Sequence, residues 1–332
     1  MRDTLQRLSG NGRSGRFTRD KTGHPMRLDI AAQSDIGHRK KINEDYYGIF
    51  RDDSPGLQLF QEGAMLCVAD GLGGHVGGEI ASKLAVSIMK DATLAQAPPN
   101  DTETGEEGTF ILMRQFMHKA NNSVFQTNED LDTGSKPMGT TLISVLISPK
   151  KVHICNVGDS RCYHIRDGEI IGRTEDHSWV DEQVKLGKMS KAEAQIDFRK
   201  NVVTRSIGTR PEVTVDTYLW HIVPGDWLML CSDGLVNMVE DSAIMEEINK
   251  RGTAAEIVAR LVNLANENGG KDNITVIAAN ISPNLFRLFA LRTRSFVRKQ
   301  GLKLLWLLVT LAALIAGYFL GTLDVLGMLF GD

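Results

Sequence analysis

Between residues 27 and 281, short apolar runs are interrupted twice, each time by two consecutive amphipathic stretches. This order excludes the regular strand and helix alternation of a parallel doubly wound sheet. Strands are predicted at 28–32, 46–50, 64–69, 140–147, 151–157, 161–166, 213–221, 226–231 and 274–280. Joins such as Ser148-Pro149-Lys150, Gly158-Asp159-Ser160 and Asp167-Gly168 are too short for a crossover, so their strands are antiparallel neighbours. Helices are predicted at 77–95, 108–128, 241–249 and 253–268, with a polar loop at 98–107 between the first two. The expectation is an α+β fold: a four-layer αββα sandwich, with two central, mostly antiparallel sheets flanked by helix pairs. Residues 176–201 carry little core-forming sequence. A short helix at 179–186 and a second begun by Ser190 read as a flap beside an active site.

The chain has 332 residues and a formal net charge of -3, which argues against a nucleic-acid binder. Residues 1–26 hold six basic side chains against Asp3 and Asp20, without apolar periodicity, and read as a disordered basic arm. No continuous apolar stretch follows those charges, so a secretory signal is not expected. Residues 304–323 are free of charge and long enough for a transmembrane helix. The preceding basic segment, 284–303, carries Arg287, Arg292, Arg294, Arg298, Lys299 and Lys303, and a short tail, 324–332, follows. The positive-inside rule then places the domain at 27–283 in the cytoplasm. Cys67, Cys155, Cys162 and Cys231 are widely spaced, three of them in apolar runs. They read as buried thiols in a reducing compartment, and their spacing does not suit zinc.

Two strings share one grammar: Val68-Ala69-Asp70-Gly71-Leu72-Gly73-Gly74-His75 and Cys231-Ser232-Asp233-Gly234-Leu235. Each sets a carboxylate at the end of a core strand and follows it with a glycine expected to turn the chain. Asn43-Glu44-Asp45 and Lys271-Asp272-Asn273 add further acids in similar settings. If these segments converge, the mutual repulsion of their carboxylates calls for bound cations. Oxygen ligands suit Mg²⁺ or Mn²⁺, and two such ions suit hydrolysis of a phosphate ester.

Together with Gly139-Thr140-Thr141, Asn156-Val157-Gly158-Asp159-Ser160-Arg161 and Asn201-Val202-Val203-Thr204-Arg205, and with Lys271-Asp272-Asn273 running on into Ile274-Thr275, these strings occur in a definite order. In that order they resemble the metal-dependent serine/threonine protein phosphatases of the 2C type, particularly the bacterial branch. The resemblance spans about 27–281 and implies a β-sandwich with a two-metal site at one end. It implies that Asp70 bridges both ions, with the Gly71 carbonyl on one and Asp233 and Asp272 on the other. Glu44 and Asp45 would hold waters, and Asp159 with Asp233 would support a third, weaker ion. The implied partners are phosphorylated proteins, substrates of a serine/threonine kinase, with the membrane engaged through the terminal helix.

Two positions depart from the family pattern. Where an arginine usually meets the substrate phosphate this chain has Lys40, with Arg39 one place early. Either Lys40 serves without the guanidinium fork, or a bulge lets Arg39 reach. Leu72 stands where many eukaryotic members have a proton-donating histidine, which leaves water as the proton source. His75 reads as structural, and His177 as a cap for the helix at 179–186. A rival reading is a catalytically silent module that binds phosphoproteins, and another is a phosphatase dedicated to one partner-switching regulator.

Overall fold

The computed structural model describes residues 26–51, 63–73, 76–95, 98, 100–131, 137–148, 150–250 and 252–283. The strands are β1 (Met26–Asp35), β2 (Tyr46–Arg51), β3 (Ala64–Ala69), β4 (Gly71–Leu72), β5 (Gly139–Thr140), β6 (Leu142–Ile147), β7 (Lys151–Val157), β8 (Arg161–Arg166), β9 (Glu169–Arg173), β10 (Asp216–His221), β11 (Trp227–Cys231) and β12 (Ile274–Pro283). The helices are α1 (Val76–Ala92), α2 (Gly108–Asp130), α3 (Trp179–Lys185), α4 (Lys191–Ile196), α5 (Asp233–Val236), α6 (Asp241–Asn249) and α7 (Ala254–Glu267).

Two five-stranded sheets, β1-β12-β11-β8-β9 and β10-β7-β6-β3-β2, form the centre. β3 shows why the layers stack as they do. All six of its residues are buried, and alternation sends Ala64, Leu66 and Val68 to one face and Met65, Cys67 and Ala69 to the other. The first set meets Ile143, Val145, Leu228, Leu230 and Ile277 between the sheets. The second set packs with Ala85 and Met89 of α1 and Met113 and Met117 of α2. On the other side, Tyr163, Met229, Cys231 and Val276 pack with Ile257, Leu261 and Val262 of α7 and Ile244 of α6. The expected four-layer sandwich is therefore present.

The departures have local causes. β9 has no counterpart among the predicted strands, because it is an edge strand whose residues alternate between exposed and half-buried, so it carries no apolar run. The tenth strand begins at Asp216, not 213, and the expected 140–147 strand breaks at Thr141, leaving Gly139 and Thr140 to pair with Gly71 and Leu72. Asp167-Gly168 is the expected turn, with φ of 51° and 83°. Ser190 starts α4 with a capping box to Glu193. Ser178, not His177, caps α3 by accepting the Asp181 N–H. No helix among the described residues is long and apolar enough to cross a membrane. His75 and the segments 1–25, 284–303, 304–323 and 324–332 lie outside the described residues.

Candidate metal centre

Strand register explains why distant acids meet. In one sheet Tyr46 pairs with Ala69 and Leu142 with Val157, so the start of β2 and the end of β3 lie at the same end of that sheet as the end of β7. In the other, Cys231 pairs with both Arg161 and Val276, which brings together the end of β11 and the starts of β8 and β12. The turn Gly158-Asp159-Ser160 passes from the first sheet to the second at that end. Asp45 precedes β2, Asp70 follows β3, Asp159 lies in the turn, Asp233 follows β11 and Asp272 precedes β12. Glu44 stands beside Asp45, and Lys40 reaches the same group.

The acids are close enough to oppose one another's ionisation. Burial, then Asp45, Asp233 and Asp159, hold the Asp70 carboxyl well above its ordinary range. Burial pushes Asp45 up to about 7, with Asp233 and Asp272 adding to it and the Ser232 hydroxyl opposing. Asp159 is raised by burial and by Asp233, and Asp233 by burial and by Asp272. Burial works against the charge of Lys40, but the hydrogen bond and charge of Asp272, helped by Glu44 and Asp70, outweigh it and raise the ammonium. Its Nζ lies 2.6 Å from Asp272 Oδ1 and 4.0 Å from Glu44 Oε2. Of the two candidates, both exposed, Lys40 pairs with Asp272, and among the described residues no ion pair joins Arg39 to the acids.

Among the described residues, no three His, Cys, Asp or Glu side chains close into a formed metal-holding group. The chemistry of the donor set nevertheless fits hard divalent cations. Asp45 Oδ1, Asp159 Oδ1 and Asp233 Oδ1 are buried with no hydrogen-bond partner of good geometry, and the Asp70 and Asp233 carboxyls lie against each other, an arrangement that is costly until a shared proton or a cation meets it.

The two glycines of the paired strings act differently from expectation. Neither Gly71 nor Gly234 has a positive φ. A Cβ on Gly71 would strike the backbone of Gly78 and the Glu44 carbonyl, and one on Gly234 would strike the Asn273 carbonyl. Both positions need glycine for close approach, and Gly234 lies inside α5.

Three residues that the sequence shows only as members of the quoted strings hold the site in place. The Asn273 amide donates to the carbonyls of Ile36 and Ile42, 3.0 Å each, and its oxygen accepts the Glu44 N–H at 2.9 Å, which fixes the loop bearing Lys40. The Thr141 hydroxyl accepts the Asp70 N–H at 2.9 Å and shares a 2.7 Å hydrogen bond with Ser160. Ser232 Oγ donates to Asp45 Oδ2 at 2.7 Å and accepts the Thr275 N–H at 3.0 Å.

Residues 44–276 match the model of the protein phosphatase 2C family. The chain belongs to this family. It is 35% identical over 251 residues to the serine/threonine phosphatase stp of Listeria monocytogenes, covering 74% of this chain and 92% of that one. The crystal structure of Stp1 from Staphylococcus aureus superposes with a TM-score of 0.67 at 31% identity, over 76% of this chain and 95% of the other. The catalytic domain of PstP in complex with two manganese ions gives a TM-score of 0.63 at 30% identity, over 77% and 99% of the two chains. This phosphatase 2C member is thus an enzyme, a protein serine/threonine phosphatase, and its acids stand at the sheet ends as the motif order implies.

Proposed function

We propose that the chain hydrolyses phosphoserine and phosphothreonine in proteins with the help of two divalent cations, Mn²⁺ or Mg²⁺, held at the sheet ends. When bound, such ions supply an acidified water and neutralise phosphoryl charge. Asp70 would bridge them, the Gly71 carbonyl would serve one, and Asp233 and Asp272 the other, while Asp159 with Asp233 would support a third. Glu44 and Asp45 would accept hydrogen bonds from water and fix its orientation. Lys40 would exchange its pairing with Asp272 for the phosphate oxygens as a point charge. The observation that carries this reading is the set of buried, unpartnered oxygens on Asp45, Asp159 and Asp233 at one end of the sandwich. Metal-dependent phosphate release from a phosphothreonine peptide tests it: no turnover with Mn²⁺, or full turnover after Asp70→Asn, refutes it. The silent-module reading draws on the Lys40–Asp272 pair, which engages a proposed metal ligand. The same assay separates the two.

The substrates would be proteins phosphorylated by a serine/threonine kinase, and a phosphorylated partner-switching regulator assayed beside generic peptides distinguishes narrow from broad specificity. Residues 304–323 would hold the enzyme to a membrane with the catalytic domain on the cytoplasmic side, a reading supported by their uncharged run and the basic segment before them. Membrane fractionation of the chain ended at Gly301 against the full chain tests it. Equal membrane retention of both refutes the anchor.

A further inference from the structure

We infer that His177 is a positioning residue that clamps the turn bearing Asp159 to the base of the segment 178–203 through one fixed tautomer of its ring. The inference rests on the proposed role of Asp159 in cation binding.

His177 is 1% exposed, and both its main chain and its ring are engaged. Its main-chain N–H donates to the Gly158 carbonyl at 3.0 Å, and its own carbonyl accepts the Thr204 N–H at 2.8 Å. The Trp179 N–H donates to the Val202 carbonyl at 2.8 Å, and Ser178 bridges Val203, so both legs of the flap close at this residue. The ring adds two more ties. Nδ1 accepts the Gly158 N–H at 3.0 Å and therefore carries no proton. The neutral ring must hold its hydrogen on Nε2, which lies 3.1 Å from Asp216 Oδ2 and donates to it. Arg205 Nη1, at 3.3 Å from Nε2, is then a second donor to the same carboxylate, 2.8 Å from Asp216 Oδ1. Asp216 opens β10 and pairs in register with Asn156 at the end of β7, so the far edge of the ring is fixed to rigid sheet.

Gly158 also packs closely against Thr141. Its φ is 112°, and a Cβ there would strike Thr141, whose hydroxyl also accepts the Asp70 N–H. The Asp159 turn is thus gripped by Thr141 on the Asp70 side and by His177 on the flap side. Burial lowers the pKa of His177, the hydrogen bond and charge of Asp216 oppose it, and the charges of Arg205 and Lys185 side with burial, so the net direction is downward, towards the neutral ring of this geometry.

The test divides the two ring contacts. In the full chain, His177→Asn keeps an acceptor near the Nδ1 position for the Gly158 N–H, and His177→Gln keeps a donor near Nε2 for Asp216. Mn²⁺ binding without substrate is measured by calorimetry, alongside kcat, KM and the melting temperature of the metal-free protein. Expected is a loss of about tenfold in affinity at the weakest Mn²⁺ step for His177→Gln, with kcat falling more than KM, and recovery of most of that loss in His177→Asn. Melting should fall alike in both, since each loses one ring contact. In an Asp159→Asn background, His177→Gln should add no further loss of affinity. Equal Mn²⁺ affinities in the Asn and Gln variants, or an undiminished effect without Asp159, overturns the inference. Should His177→Gln not fold, nitrogen NMR shifts of the His177 ring in the wild-type chain must show Nδ1 unprotonated and Nε2 protonated, and the opposite tautomer or an imidazolium overturns the inference. If the wild-type chain binds Mn²⁺ but releases no phosphate, the proposed reaction fails while the binding comparison still decides the role of His177.

Discussion

The Lys40 ammonium lies 2.6 Å from Asp272 Oδ1, so the side chain standing where the family pattern has a phosphate-binding arginine is engaged with a carboxylate of the site. A cation held by Asp272, as proposed, would compete with the ammonium for that oxygen. Lys40→Ala should therefore raise KM for a phosphothreonine peptide by about tenfold, the order of one charged hydrogen bond. It should also tighten Mn²⁺ binding measured without peptide. Lys40→Arg should lower KM through bidentate contact. Steady-state kinetics and calorimetry on the three proteins check these outcomes, and a looser Mn²⁺ site in Lys40→Ala would contradict the competition.

Asp70 is pressed by Asp45, Asp233 and Asp159, and its removal should act in opposite directions on activity and on stability. Asp70→Asn should lower kcat by at least about 100-fold, given the several kcal/mol at stake in cation-assisted charge stabilisation. The chelator-treated variant should melt higher than the chelator-treated wild type, because one of the repelling acids has gone. Phosphate release and thermal melting in chelator are the measurements.

The acids also give the metal-free protein an unusual pH response. A carboxyl whose pKa is higher in the folded than in the unfolded chain takes up a proton on folding. Stability from it is full below the unfolded value and is lost as pH rises towards the folded one. For Asp45 that window runs from about 4 to about 7, and Asp70, Asp159 and Asp233 shift in the same direction. The loss attributable to Asp45 is no more than about 4 kcal/mol. The melting temperature in chelator should fall across this range, and the fall should shrink in Asp45→Asn and in saturating Mn²⁺.

Asn273 makes three hydrogen bonds to the loop that carries Lys40 and Glu44. Asn273→Ala leaves two carbonyls and one N–H to find new partners and should cost about 2 to 4 kcal/mol in chemical denaturation. With the loop released, KM should rise more than kcat falls. A variant that loses stability with unchanged KM would confine Asn273 to a structural role.

The layers of the fold were legible because β3, β6 and β11 are covered on both faces and so read as unbroken apolar runs. β9 was not, because an exposed edge strand has no such run. The acids were legible because each follows or precedes a core strand within a residue or two. The roles of their supports were not, although the strings contain them: Asn273 acts across 229 positions of sequence on Glu44, and Thr141 across 71 on Asp70. Gly71 and Gly234 show the same limit. An Asp-Gly pair signals a turn in sequence, whereas here the missing side chain makes room for backbone that arrives from elsewhere in the chain.

All four cysteines are fully buried, in β3, β7, β8 and β11, and burial pushes the thiols of Cys67 and Cys231 up to about 12 and raises Cys155 and Cys162 as well. Peroxide attacks thiolates, the form that burial disfavours at all four positions. The proposed reaction uses no thiolate, so phosphate release should survive a peroxide treatment that inactivates a thiolate-dependent phosphatase, and loss of activity through oxidation of any of the four cysteines would contradict this.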